Sequence, residues 1–376
     1  MKKIKVAHIL HSVGGVDVSL RLILEYIDNT RFENIIIQGT RDVNKPYFDK
    51  VNTEVKRFRI PIFREISPLS DFKAIRLAYK IVKREKPDII HAHSAKGGVV
   101  GRIVGALTKT PTIYSPHAFS YLSTNNTFKR SIFLAIEKFF TNGSSCLLAL
   151  SESERQRAIH EVGFATEKVL LYNNSIAPIE HIQQLSISKT WPEEYICTIG
   201  RPSYQKNTEL LVNIVNEIKK TRSVHLVIMG VGMVSGDLDK IIKQIRTLGL
   251  NDNITLLDWT TREDVFNIVS KSQLYVSTSR YEGMPYSVIE AMALAKACVV
   301  SDCDGNRDLI TSGYNGYVIK EENAELYSAK IIRLLDDVNL NKKFSAQAKA
   351  TFLENFNLYE NIGIMEDIYT SLIHKA

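Results

Sequence analysis

Short, unbroken apolar runs rich in β-branched residues recur along almost the whole chain, separated by stretches with helical periodicity. A strand that alternates apolar and polar residues can leave one face in water. A strand that is apolar throughout must be covered on both faces, and parallel sheets with helices on each side provide that cover. In the first half the strand candidates are 4–10 (IKVAHIL), 34–38, 54–60, 88–92, 111–115, 145–150 and 168–172, with helical patterns at 16–28, 70–86, 96–108, 127–141 and 152–162. A second series has strands near 195–200, 224–229, 253–257, 273–278, 297–301 and 316–319. Its helices are near 206–220, 236–248, 261–270, 285–294, 323–336 and 339–353, and a last helical stretch covers 357–375. This is the pattern of α/β, doubly wound domains, whose sites lie at the carboxyl ends of the strands.

Between the two series, residues 173–194 lose periodicity and gain prolines and polar residues, as a linker does. The 376 residues suit two or three domains. The spacing predicts one Rossmann-like domain over 1–178 and a second over 190–355, with a ligand cleft between them.

Composition narrows the class further. With 44% hydrophobic and 24% charged residues, disorder and coiled coil are excluded. No apolar run approaches the roughly 18–20 residues that cross a bilayer. The start, MKKIKVAHIL, is basic then apolar, but Lys5 interrupts it and no small-residue cleavage site follows, so it reads as a first strand. Cys146, Cys197, Cys298 and Cys303 form no CxxC pair, which argues against a zinc site or a disulfide framework and suits a reducing, cytoplasmic setting. Charge is uneven. Residues 1–180 carry 27 Lys+Arg and 17 Asp+Glu, or +10; the rest carry 48−27=21 and 41−17=24, or −3. A basic first half points to an anionic partner or simply to a solvated surface. Nucleic acid is disfavoured, since no zinc-finger spacing, RNP-type aromatic signature or long basic block is present.

Three segments at strand-to-helix junctions carry candidate chemistry. Gly14 and Gly15 follow the first strand, where glycines admit a ligand close to the backbone and the helix start favours anions. The segment HSVGGVDVS lacks the GxGxxG dinucleotide fingerprint. In GRPSYQKN (200–207), Arg201 and Lys206 can both point at one diphosphate, although no Walker A pattern is present. In SRYEGMPYSVIEAMA (279–293), Pro285 suits a first helical position, and the amides around Gly283, Met284 and Tyr286 can bind phosphate. Glu282 and Glu290 are acceptor-only groups suited to sugar or ribose diols. Each segment has a plain alternative: a tight turn, two solvated cations, or acids placed for the helix dipole.

Taken in order, the Gly-Gly loop, GRPSYQKN and the Glu282–(seven residues)–Glu290 pattern resemble the retaining glycosyltransferases of family 4, with the GT-B fold of two Rossmann-like domains facing a central cleft. The resemblance runs across nearly the whole chain. HAHSAKGGVVGR (91–102) and YSPHAF (114–119) are similar to members that build capsule, O-antigen or exopolysaccharide units. It implies that Arg201 and Lys206 neutralise the donor diphosphate, that Glu290 holds the ribose and Glu282 the transferred sugar, and that Gly283 and Met284 supply amides. It further implies that Gly14 and Gly15 close on the donor, that His117 lies beside the donor sugar, and that a terminal helix over 356–376 crosses back to the first domain. Two departures stand out: Asp17 follows the Gly-Gly pair at its own spacing, and in GNRDLI (305–310) Asp308 stands where many members have Glu.

The implied donor is a nucleotide diphosphate sugar, UDP-linked, and the implied acceptor a hydroxyl of a lipid-linked or oligosaccharide substrate in bacterial surface polysaccharide synthesis. No cofactor or metal is implied. His91 and His93 share a strand face, but no acid or cysteine cluster completes a site. Lys96 and Arg102 are candidates for a phosphate or headgroup, or for solvated surface. The helix at 127–141 is amphipathic and aromatic, through Phe128, Ile132, Phe133, Ile136, Phe139 and Phe140 with Lys129, Arg130 and Lys138 between. It reads either as core or as an interfacial helix on the cytoplasmic face of the inner membrane. Rival functions are a hydrolysing nucleotide-sugar epimerase on the same fold and a non-catalytic sugar-nucleotide-binding subunit.

Overall fold

The apolar runs become strands, and the ladders between them are parallel. The computed structural model describes residues 2–11, 14–42, 44–63, 65, 67–232 and 236–374. Its first half runs β1 (Ile4–Leu10), α1 (Gly15–Tyr26), β2 (Phe32–Gly39), β3 (Lys56–Ile60), α2 (Pro68–Glu85), β4 (Ile89–His93), α3 (Ser94–Thr108), β5 (Thr112–Ser115), α4 (Thr127–Phe139), β6 (Cys146–Ala149), α5 (Glu152–Arg157) and β7 (Val169–Leu171). Next come β8 (Ile196–Ile199), α6 (Thr208–Lys219), β9 (Leu226–Val231), α7 (Leu238–Thr247), β10 (Ile254–Asp258), α8 (Arg262–Lys271), β11 (Tyr275–Ser277) and α9 (Tyr286–Ala293). The chain closes with β12 (Cys298–Ser301), α10 (Asn306–Leu309), β13 (Gly316–Ile319), α11 (Ala324–Asp336), α12 (Val338–Asn355) and α13 (Leu358–His374). Residues Ser12 and Val13 of the Gly-Gly segment, and the last two residues of the expected helix over 356–376, lie outside the described part.

The chain divides into two units, one of residues up to Asn174 together with those from Leu358 onward, the other Ser175–Asn357. In the first, the sheet order is β3-β2-β1-β4-β5-β6-β7. Alternate residues of each strand point to opposite faces, and both faces of β1 are covered. Ala7 and Ile9 pack with Ile35, Ile37 and Ile90 against Ala74, Ala78 and Val82 of α2. Val6 packs on the other face with Ile89 and Ile113, against Ile23 of α1 and Met365, Tyr369 and Leu372 of α13. Those three α13 residues fall four and three apart and so form one stripe. The terminal helix is thus a structural part of the first unit.

In the second unit the order is β10-β9-β8-β11-β12-β13. Ile196, Leu226, Ile228, Val276 and Val299 pack with α6 residues Leu211 and Val215 and with Ile331 of α11. In both sheets the order reverses beside the first strand, between β1 and β4 and between β8 and β11. At such points the two flanking loops splay apart and leave room for a ligand.

Several expectations change. Residues from 175 onward belong to the second unit rather than to a free linker. Asp264 of α8 accepts hydrogen bonds from Ser186 N–H and Oγ, both at 2.7 Å. Asn267 donates to the Gln183 carbonyl, and Trp191 is buried. Pro285 is the N-cap of α9, with ψ 121°, and Tyr286 is the first helical residue. Arg102 is not a surface cation: it is 3% exposed and paired with the equally buried Glu137 at 3.0 Å. It also stacks on the Tyr114 and Phe140 rings. Lys96 is held by both oxygens of Asp71 at 2.7 Å.

Candidate active site

The loops after β8 and β11 are stitched together at the switch point of the second sheet. Arg280 N–H donates to the Gln205 carbonyl at 2.8 Å, and its guanidinium to the Tyr204 carbonyl. Thr278 Oγ1 donates to the carbonyls of Lys206 and Asn207. These bonds bring GRPSYQKN against the turn that opens α9. Gly200 (φ +156°) lies against the Lys206 stem, where a Cβ would stand 2.9–3.0 Å from its carbons.

Lys206 Nζ bonds Glu282 Oε1 at 2.7 Å, and Gln205 Nε2 donates to Oε2 at 3.3 Å. Both oxygens of Glu282 are therefore oriented, and the side chain is buried. One turn into α9, Glu290 Oε1 accepts from Arg262 Nε at 3.1 Å and Nη2 at 2.8 Å. Among the described residues its Oε2 has no hydrogen-bond partner. Burial raises the Glu290 pKa above the usual carboxylate value, and the Arg262 charge only partly offsets this. Gly283, Met284 and Pro285 are buried and Tyr286 half-buried. Gly305 (φ +76°) packs on this turn so closely that a Cβ would lie 2.5 Å from the Gly283 oxygen and 2.7 Å from Met284 Cα. Asp308, three residues on, accepts from Gly305 N–H at 3.1 Å and caps α10.

Arg201, Lys206, Glu282, Gly283, Met284, Pro285, Tyr286 and Glu290 thus lie on two adjoining loops and the start of α9. Gly14, Gly15 and His117 belong to the other unit, on loops after β1 and β5. Gly14 caps α1 with φ +59°, a conformation glycine adopts without strain. Asp17 does not extend from that loop, since it accepts from Arg21 Nε at 2.8 Å and Tyr47 OH at 2.6 Å. His117 (φ +54°) and Ala118 (φ +76°) are consecutive left-handed residues. Buried Glu154 holds this bend by accepting from Ala118 N–H at 2.9 Å and Leu150 N–H at 2.8 Å.

Behind His117 lie His91 and His93, the pair noted on one strand face, joined by His8, which motif reading missed. His8, His91 and His93 each place a ring nitrogen within 4.8 Å of the others. Each of their six nitrogens has a protein partner. His8 bonds Asn34 and His93, His93 bonds His117, and His91 bonds Tyr369 and Ser115. A metal ion would have to displace these bonds. Burial depresses the pKa of all three rings and of His117, the latter and His8 to about 4, so all are neutral near pH 7. A histidine inside an apolar buried strand signals such a network, because a buried polar group needs partners. Gln205 and Arg262 were also missed.

Two parallel-sheet Rossmann-like units, with cations and acids gathered at a switch point, define a GT-B glycosyltransferase. Residues 13–178 match the Glycosyltransferase Family 4 description and residues 182–351 that of Glycosyl transferases group 1; the chain belongs to this family. It is 27% identical to the UDP-Gal:alpha-D-GlcNAc-diphosphoundecaprenol alpha-1,3-galactosyltransferase of Escherichia coli, across 99% of this chain and 98% of that one. It is 25% identical to the O-antigen biosynthesis glycosyltransferase WbnH of Escherichia coli, across 78% and 81%. The crystal structure of Anabaena HepE in complex with UDP and glucose superposes with a TM-score of 0.78 at 17% identity, covering 98% of this chain and all of the other.

Proposed function

We propose that this enzyme transfers a sugar from a UDP-sugar, with retention at the anomeric carbon, to a hydroxyl of a lipid-linked saccharide in bacterial surface polysaccharide synthesis. The observation that carries the reading is the paired arrangement at the start of α9, Lys206 on Glu282 and Arg262 on Glu290. The name of the Escherichia coli galactosyltransferase supports the UDP donor and the lipid-diphosphate acceptor, and that of WbnH supports a role in surface polysaccharide synthesis.

Breaking the anomeric C–O bond leaves negative charge on the departing diphosphate while positive charge grows on the sugar ring. Groups that meet the developing charge raise the rate, because they bind the transition state more tightly than the ground state. Lys206 and Arg201 take that role, with the amides at the start of α9. Glu282, oriented by Lys206 and Gln205, accepts hydroxyl hydrogens of the transferred sugar. Glu290 uses its open Oε2 for the ribose. Gly14 and Gly15 are assigned to the donor, and His117 to the transferred sugar. In retention, the acceptor attacks from the face the diphosphate leaves, and the leaving oxygen takes the acceptor proton. No protein nucleophile is needed.

The reading includes peripheral contact with the cytoplasmic face of the inner membrane, and what supports it is α4. Phe128 (74% exposed), Ile132 and Phe139 (78% exposed) line one exposed stripe beside Lys129, Arg130 and Lys138. An apolar stripe flanked by cations suits an anionic lipid surface. Among the described residues no helix is long and apolar enough to cross a membrane.

The test is transfer of labelled sugar from UDP-sugars to a polyprenyl-diphosphate saccharide, with the product linkage read by NMR. Lys206→Ala should lower kcat about 10²–10³-fold. UDP release without acceptor, with an inverted hydroxyl on the freed sugar, would replace this reading with an epimerase.

A further inference from the structure

Asn34 and three histidines of the first unit form a continuous line from β2 through β1 and β4 to the loop after β5, with one hydrogen bond at each step. Asn34 Oδ1 meets His8 Nε2 at 3.1 Å, His8 Nδ1 meets His93 Nε2 at 3.1 Å, and His93 Nδ1 meets His117 Nε2 at 3.1 Å. Beyond that, among the described residues, His117 Nδ1 has no partner. We propose that Asn34 sets the tautomer of His117 through His8 and His93, so that His117 offers a bare Nδ1 as hydrogen-bond acceptor to a hydroxyl of the transferred sugar. The proposal rests on the reading of His117 as a contact to that sugar.

The argument is one of donor and acceptor bookkeeping. A neutral imidazole has one N–H and one lone pair. The Asn34 oxygen can only accept, so His8 must carry its proton on Nε2. His8 Nδ1 is then a lone pair, which obliges His93 to donate from Nε2, and His93 Nδ1 in turn obliges His117 to donate from Nε2. Reversing the line would set two lone pairs against each other at Asn34. Burial keeps every ring neutral, so no doubly protonated ring interrupts the sequence. The line does not conduct protons, because an amide at its end neither gives nor takes one. It transmits orientation alone. His91, stacked on His93 with centroids 3.8 Å apart, holds the middle ring in plane. Glu154 holds the strained His117–Ala118 bend, so the last ring is fixed in position as well as in protonation. Asn34 and His8 are positioning residues in this scheme.

The experiment is long-range 1H–15N correlation on the full chain labelled with [15N]histidine near neutral pH, with resonances assigned by single His→Gln variants. The expected wild-type result is Nε2–H on His8, His93 and His117 alike; Nδ1–H on any of the three overturns the proposal. In Asn34→Leu, His117 should become a tautomer mixture. At a 1:1 mixture the donor KM should rise about two-fold with kcat unchanged, since only the competent fraction binds. A folded Asn34→Leu with an unchanged His117 tautomer also overturns it, and if that variant does not fold the wild-type pattern decides. His117→Ala separates the two readings. Undiminished transfer there removes the sugar contact, whatever the tautomers are.

Discussion

At the scale of single residues, the site is a set of charges kept in place by partners that the sequence does not advertise. Arg201, Lys206, Glu282 and Glu290 could be found from local pattern, because each sits on a strand-to-helix loop whose residue types suit a diphosphate or a diol. Arg262 and Gln205 could not, because their use depends on which loops become neighbours. Arg262 lies 28 residues before the carboxylate it holds. The same applies to Asn34, which gains meaning only when β2 pairs with β1. Glu290 yields a signed expectation. Folding raises its pKa, so its contribution to stability is complete below the unfolded value and is lost as pH rises through the folded value. The ribose contact proposed for it runs the other way. UDP affinity, measured by calorimetry, should weaken as pH falls through the raised pKa. Arg262→Ala should move that loss to higher pH, and Glu290→Gln should flatten it.

At the scale of elements, the strand and helix order was legible because doubly covered strands must be apolar on both faces. Element ends were less so. Pro285 caps α9 instead of opening it, since its ψ of 121° lies outside the helical region. Arg102 and Lys96 were misjudged because helical spacing does not tell a solvated cation from one with an acid opposite, here buried Glu137 and half-buried Asp71. The turn before α9 is supported from behind by Gly305, whose φ and close contact both exclude a side chain. Gly305→Ala should cost roughly 1–3 kcal/mol, the usual range for overpacking, and weaken UDP binding with it; thermal unfolding and titration of one sample measure both. Helix α4 makes a separate prediction. Phe128 and Phe139 are exposed, so changing both to Ser should leave the melting temperature within the scatter of surface substitutions. Sedimentation with anionic vesicles should fall several-fold in that variant. Equal sedimentation would remove the membrane assignment.

At the scale of the whole molecule, the basic half of the sequence coincides closely with the first unit, and the residues expected at the diphosphate lie in the other. Periodicity placed the change of unit near 178–190, whereas the chain joins the second unit from 175, because Asp264 and Asn267 secure a segment with no periodicity of its own. Docking of α13 on the first sheet also escapes periodicity, which reports that a helix has an apolar stripe and not which face receives it. The account as a whole depends on the second unit gripping UDP with the pairs around α9. The most direct test is the thermal shift produced by saturating UDP on the wild type and on Glu290→Ala. A ligand present at 100 times its Kd adds about 2.7 kcal/mol to the state that binds it. The account predicts a clear rise in melting temperature for the wild type and little or none for the variant; an equal rise in both would contradict it.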